Sequence, residues 1–277
     1  MIKKDEKLLL SNAYVFSSVL ENENLCKRVL ETLLQNPIAS LKQLIREKEI
    51  CFQQETKPIK LDIFVKDKKD VIYDAEMQNL NKKTIESLAL PKRSRYYQSV
   101  IDSETLKKGI HYTYLNDSYV IFICTFDPFG FGRYVYTFSN FCEEDKKLKL
   151  EDKTTKIFFY TKSKAEDIPK SIKLLFDYIE TGVAGDELTE DLDREVEKLS
   201  QNEKWWGEYM RSLTWLMDAR EEGREEGREE GREEGIKVLV ETCYELCVNK
   251  DIVKERLINN FSLTEEKALE EVNRYYR

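Results

Sequence analysis

The chain has 277 residues, of which 41% are hydrophobic and 35% charged, with a net charge of −8. A chain of this size and apolar content builds one sizeable core, alone or with a small satellite, which excludes a wholly disordered chain. The acidic balance argues against a protein that coats nucleic acid indiscriminately, although residues 82–108 form a locally basic stretch compatible with a local nucleic-acid groove.

In chain order, residues 5–36 predict helix. Leu8, Leu9, Val15, Phe16, Val19 and Leu20 recur at helical spacing, as do Leu25, Val29, Leu30, Leu33 and Leu34. Asn24 is a candidate cap for the second piece, and Pro37 ends it. Ile59–Val65 alternates and is β-branched, Asp67–Asp70 is a turn, and Val71–Gln78 is a second strand, together a hairpin. Pro91 is placed to open the next helix, which carries Lys92, Arg93, Arg95, Tyr96, Tyr97 and Gln98.

Strands are predicted over Tyr119–Phe126, Arg133–Phe138 and Lys156–Tyr160. The segment Asp127–Gly132 links the first two and is read as a turn rather than a site. Ile168–Glu180 is an amphipathic helix closed by Gly182. Everything from Asp186 onward predicts helix. Within it, Arg-Glu-Glu-Gly repeats over 220–235 give i,i+3 ion pairs offset by helix-weakening glycines, hence a solvated helix or linker. Ser262 with Glu265 predicts a capping box before the last helix. Cys243 and Cys247 would share a helix face; with a single histidine, His111, a zinc site is not expected, and the six cysteines read as structural thiols. No leader peptide and no membrane span are visible, so the expected location is cytoplasmic.

The residues with chemical potential sit on the hairpin. Asp62 interrupts an apolar strand. Glu76 and Gln78, two apart, point to one face of the next. The turn sets Asp62 opposite Glu76 within one residue of register. Two carboxylates across a hairpin make a hard, oxygen-rich site of the kind Mg²⁺ takes together with water and phosphate oxygens, and the Met77 backbone carbonyl is a further candidate ligand. Taken alone, an Asp and a Glu on a half-exposed hairpin describe an ordinary solvent face equally well. Lys60, Lys92, Arg93, Arg95 and Gln98 are the nearby candidates for gripping a nucleic-acid backbone, although the aromatic residues beside them also suit core packing.

The segments LDIFVKDKKDVIYDAEMQN, LPKRSRYYQSVID and YVIFICTFDPFGFGRYVYTF together resemble the PD-(D/E)XK nuclease family transposases, the recombination-promoting nucleases, over roughly Leu8 to Glu180. The resemblance implies an α/β, restriction-endonuclease-like mixed central sheet flanked by helices, followed by a helical C-terminal tail. It divides the chain into a nuclease-like domain (1–182), a helical extension with the repeats (183–235) and a small helical tail (236–277). It implies DNA as partner and Mg²⁺-dependent cleavage, with Mn²⁺ as substitute. Asp62 and Glu76 take the metal positions, and Gln78 stands where many related nucleases hold a lysine. Many members carry an Asn-Asp-x-x-Phe pattern in the first helix, whereas this chain has Asn12-Ala13-Tyr14-Val15-Phe16. The helical tail makes a homodimer an expectation. The alternative to an enzyme is a catalytically silent nuclease fold that binds DNA or protein.

Overall fold

The computed structural model describes residues 7–51, 57–79 and 85–276, so residues 5 and 6 of the first expected helix and residues 82–84 of the basic stretch lie outside the described residues. The chain divides into two compact units, one ending at Trp206 and one beginning at Gly207.

The first unit opens with two helices where continuous helical periodicity is seen over 5–36. Asn12 caps α1 (Ala13–Val19) by accepting from the N–H groups of Tyr14 and Val15. Asn22, not Asn24, caps α2 (Glu23–Leu34), because its side chain reaches the N–H groups of Asn24 and Leu25. Gln35, in left-handed backbone, ends α2 ahead of Pro37.

Six strands follow in one sheet: β1 (Leu41–Ile50), β2 (Ile59–Asp67), β3 (Ile72–Gln78), β4 (Ser118–Cys124), β5 (Val135–Phe138) and β6 (Thr154–Tyr160). Their spatial order is β1-β2-β3-β4-β6-β5. The β1/β2, β2/β3 and β5/β6 pairs are antiparallel, whereas β3/β4 and β4/β6 are parallel. This is the mixed sheet flanked by helices that the sequence leads one to expect. Strand β1 was not expected. It is an edge strand rich in Lys, Arg and Glu, a composition that protects an edge but hides the alternation of a strand.

Helix α3 (Ile85–Thr105) crosses between β3 and β4 and contains Pro91 in its interior rather than at its start. Leu90 is buried in the core, and this packing holds the helix on both sides of the proline. Leu90, Tyr97, Val100 and Ile101 pack on the sheet face that carries Phe64, Val120, Phe122 and Phe158. The other face carries Ile63, Val65, Ala75, Ile121, Ile123 and Phe159, all buried. Helix α1 lies against β2 and β3, and α2 against β1. From α4 (Lys170–Thr181), Phe176 meets Phe159 with ring centroids 6.1 Å apart. Gly182 closes α4 at φ 66°, where an added Cβ would meet the Lys7 side chain at 2.6 Å. Helix α5 (Glu187–Gln201) starts with a capping box of Asp186 and Thr189 and packs on α1, α2 and α4.

In the second unit, the later part of α6 (Glu203–Glu245), α7 (Lys250–Phe261) and α8 (Glu265–Tyr275) bury Ile236, Val240, Val253, Leu257, Ala268 and Val272 against one another. The Arg-Glu-Glu-Gly segment is helical within α6, with an Arg224–Glu221 ion pair of 2.8 Å. Thr264 caps α8, while Ser262, expected in that role, ends α7 in left-handed backbone and so cannot also start the next helix. Cys247 lies beyond the end of α6 and does not share a face with buried Cys243. Among the described residues, no helix is long and apolar enough to cross a membrane.

Candidate functional site

The antiparallel register of β2 and β3 pairs Ile63 with Ala75, and one step further Asp62 comes opposite Glu76. There the carboxylates take the place of backbone acceptors. The Asp62 N–H donates to Glu76 Oε1 at 2.8 Å, and the Met77 N–H donates to Asp62 Oδ2 at 2.9 Å. Each acid is thus fixed by the other's strand. On the opposite side of β2, the pairs Arg46–Ile63 and Lys48–Leu61 bracket Glu47, which faces Asp62 with φ 50°. Left-handed backbone at a non-glycine residue stores strain, and such strain collects at functional sites. Glu47 was missed from the sequence. Its only signal is the register of a strand that the sequence does not announce.

Helix α3 brings Arg93 over this row. Its guanidinium donates to Glu76 Oε2 at 2.8 Å and to Gln78 Oε1 at 3.0 Å, while Nε donates to the Tyr97 hydroxyl at 2.8 Å. It lies 4.8 Å from the Tyr97 ring centroid and 5.5 Å from that of Phe122. Asp74, on the same strand face as Glu76, is 0% exposed; among the described residues no N–H or hydroxyl donates to it, and its polar neighbour is the Glu76 carboxyl, with which it can share a proton. An acid on this face reads as solvent-facing in the sequence; α3 covers the face and buries it.

Three carboxylates therefore share one guanidinium. Burial pushes Asp62 up to about 6, against the pull of the Met77 N–H and Arg93, and the charge of Glu47 adds to the rise. Burial, reinforced by mutual repulsion, holds Asp74 and Glu76 well above the usual carboxylate range, although Arg93 pulls both down.

Asp62, Glu76, Gln78 and Arg93 thus come together. The Met77 side chain is buried, and its backbone N–H serves Asp62. Lys60 is exposed and paired with Glu47 at 2.9 Å. Lys92 and Arg95 lie exposed on α3. Gln98 does not face solvent, as a backbone-gripping residue would. It is 6% exposed, and its NH₂ donates to Ser118 at 2.7 Å and to Asp102 at 2.9 Å, while its buried Oε1 accepts from no donor among the described residues. His111 caps an exposed turn at Tyr112–Tyr114.

Among the described residues, no three Asp, Glu, His or Cys side chains form a closed metal cage. A Mg²⁺ ion needs only one or two carboxylates, the rest of its shell being water and phosphate oxygen. Asp62 and Glu76 fit that requirement. Among the described residues Asp74 has no N–H donor, and its carboxyl is buried against those of Glu76 and Asp62 with Arg93 as the cation that offsets them.

A family model described as PD-(D/E)XK nuclease family transposase matches residues 12–173, which covers α1 through β6 and the site. No curated protein and no solved structure matches the chain.

Proposed function

Because the chain belongs to the PD-(D/E)XK nuclease family transposases, a family of nucleases associated with mobile elements, we propose that it is a Mg²⁺-dependent DNA endonuclease whose site is the Asp62–Glu76–Arg93 cluster. The observation that carries this reading is the interlock of Asp62 and Glu76 across the hairpin, capped by the half-buried Arg93.

In this reading Asp62 and Glu76 hold the cation, with the Met77 carbonyl as a further ligand and Mn²⁺ as an alternative metal. A divalent cation bound there would offset charge on the phosphate and acidify a water. In the reaction a water oxygen bonds phosphorus, one ester P–O bond breaks, and the leaving oxygen takes up a proton. The backbone N–H groups of Asp62 and Met77 pre-orient the two carboxylates. The Gln78 amide oxygen is engaged by Arg93, which leaves its NH₂ to donate to the phosphate or the attacking water. Gln78 lacks the charge of a lysine, and Arg93, 3.0 Å away, supplies it. Tyr97 steadies the guanidinium. Lys60, Lys92 and Arg95 border the site and suit a DNA backbone. Two copies paired through the C-terminal helices would present one site to each strand.

A second reading also has an observation behind it. Asp62 Oδ2 and both Glu76 oxygens are already taken by protein donors, as in a self-contained fold that only binds. Thermal melts in Mg²⁺, Mn²⁺ or EDTA separate the two. A metal at 100 times its dissociation constant stabilises the folded state by about 2.7 kcal/mol. The nuclease reading predicts this shift for the wild type and none for Glu76→Ala. Equal shifts in both, or none in either, would favour the binding reading.

A further inference from the structure

The sheet face that carries Glu76 continues through Phe122 on β4 and Phe158 on β6, which share its register row. Two inter-strand steps of about 4.8 Å put the Phe158 Cα about 10 Å from that of Glu76. This corresponds to a few nucleotides at the ~3.4 Å rise of a B-form strand. Arg93 lies over Phe122, and Phe122 stacks on Phe158 with centroids 5.3 Å apart and planes 10° apart. Beyond it, Phe129 lies 5.1 Å from both Phe158 and Phe138, and Phe138 lies 5.8 Å from Phe158.

This aromatic trio forms one wall of a cavity of about 370 Å³, and Pro91, Ser94 and Arg95 of α3 form the other. Small-ligand sites occupy roughly 300–1,000 Å³. Lys156 and Asn140 also line it, and among the described residues no acid does, Asp152 standing behind Asn140 and Thr154. Neither Arg95 nor Lys156 is in an ion pair among the described residues, although Lys156 lies within the electrostatic reach of Asp102 and Asp152. The rings meet edge to face, with Phe158 at the floor and Phe138 45% exposed at the mouth, so the Phe138 ring is the one a base can lie against. Asn140 gives one N–H to Asp152 at 2.6 Å and keeps its Oδ1 for the base edge, and two cations suit a phosphate. A purely apolar ligand would leave the cations unused, and a small inorganic anion would leave the rings unused.

We propose that this cavity takes an unstacked nucleobase of the strand cut at Asp62 and Glu76, with the adjoining phosphate on Arg95 and Lys156. The identity of that strand rests on the nuclease reading; base binding does not. The preferred substrate is then single-stranded or locally unpaired DNA, since a stacked and paired base cannot enter a side pocket.

The test is a titration of the full chain, in EDTA so that cleavage plays no part, into a single-stranded oligodeoxynucleotide carrying one 2-aminopurine. The wild type should quench its fluorescence and bind it more tightly than the same sequence fully paired. Phe138 is 45% exposed, so Phe138→Ala should fold, as a melt will check, while losing most of the quenching and about tenfold in affinity. Phe138→Tyr should keep both. Lys156→Ala should flatten the log–log salt dependence by about 0.7. Unchanged quenching and affinity in Phe138→Ala, or tighter binding of the duplex, overturns the proposal. Loss of Mg²⁺-dependent cutting alongside intact quenching would remove the nuclease reading alone, and the converse pattern would remove the base pocket alone.

Discussion

Two groups of carboxylates stand at the same end of neighbouring strands and are treated in opposite ways. Asp127, just past β4, accepts from the N–H groups of Phe129 at 3.1 Å, Gly130 at 2.8 Å and Gly132 at 2.6 Å, and from the Tyr136 hydroxyl at 2.8 Å. Burial works against its ionisation, but these donors outweigh it and hold the acid below the usual range. The glycines make this possible, since Gly130 and Gly132 run at φ 81° and 70°. On β3, Asp74 has no fixed donor, and Glu76 shares Arg93 with its neighbours. A carboxylate that shapes a loop collects donors. A carboxylate that collects none, beside two others and one guanidinium, is instead lifted in pKa, and perturbed acids of this kind are what the nuclease reading proposed above builds on.

Three changes would break or sharpen this contrast. The largest stability effect is expected at Asp127. Asp127→Ala removes an acceptor of four hydrogen bonds and should cost about 3 kcal/mol, read from denaturant unfolding. Because the folded pKa of Asp127 is depressed, its contribution is fully present above the unfolded value of about 3.9. It is lost as pH falls through the folded value, so wild type and variant should converge in acid. A constant gap down to the lowest pH would show that the loop does not depend on the charge.

Asp74→Asn should do the opposite. It removes an acid whose ionisation burial and Asp62 disfavour, a cost felt at any pH above the unfolded value of about 3.9, and it should stabilise the fold at neutral pH by about 1–2 kcal/mol. For a chain of this size that is about 2–4 °C per kcal/mol in the melting temperature. A lower melting temperature would mean that Asp74 is satisfied in a way the structure does not show. The smallest effect is expected from Glu47→Gly, which relieves the left-handed backbone and should gain about 1 kcal/mol. If Glu47 serves the site, the same variant will cut more slowly while melting higher.

The strongest features of the site were legible because the hairpin is short. A turn at 67–70 between two strands leaves little freedom, so counting brings Asp62 to Glu76 within one residue, and the pairing of Ile63 with Ala75 fixes the register. Arg93 was legible as a cation on a nearby helix, but its landing on Glu76 and Gln78 depends on how α3 crosses the sheet, which local pattern does not encode. Gln98 was misread for a related reason. In a basic stretch a glutamine looks solvent-facing, and only the arrival of Ser118 and Asp102 beside it permits burial. Glu47 left no trace, since β1 becomes a strand through pairing with β2 rather than through its own alternation. The same limit applied to Asn22 and Thr264, caps chosen over Asn24 and Ser262 by backbone geometry at the helix ends.

The most direct test of the central claim is nicking of supercoiled plasmid by purified wild type and Glu76→Ala, each in Mg²⁺, Ca²⁺ or EDTA, with matched melts to show that both are folded. The account predicts Mg²⁺-dependent nicking by the wild type and a loss of more than about a thousandfold in Glu76→Ala, as removal of several kcal/mol of charge stabilisation requires. A folded wild type that leaves the plasmid intact in Mg²⁺ and Mn²⁺, or a Glu76→Ala variant that nicks as fast as its parent, would contradict it.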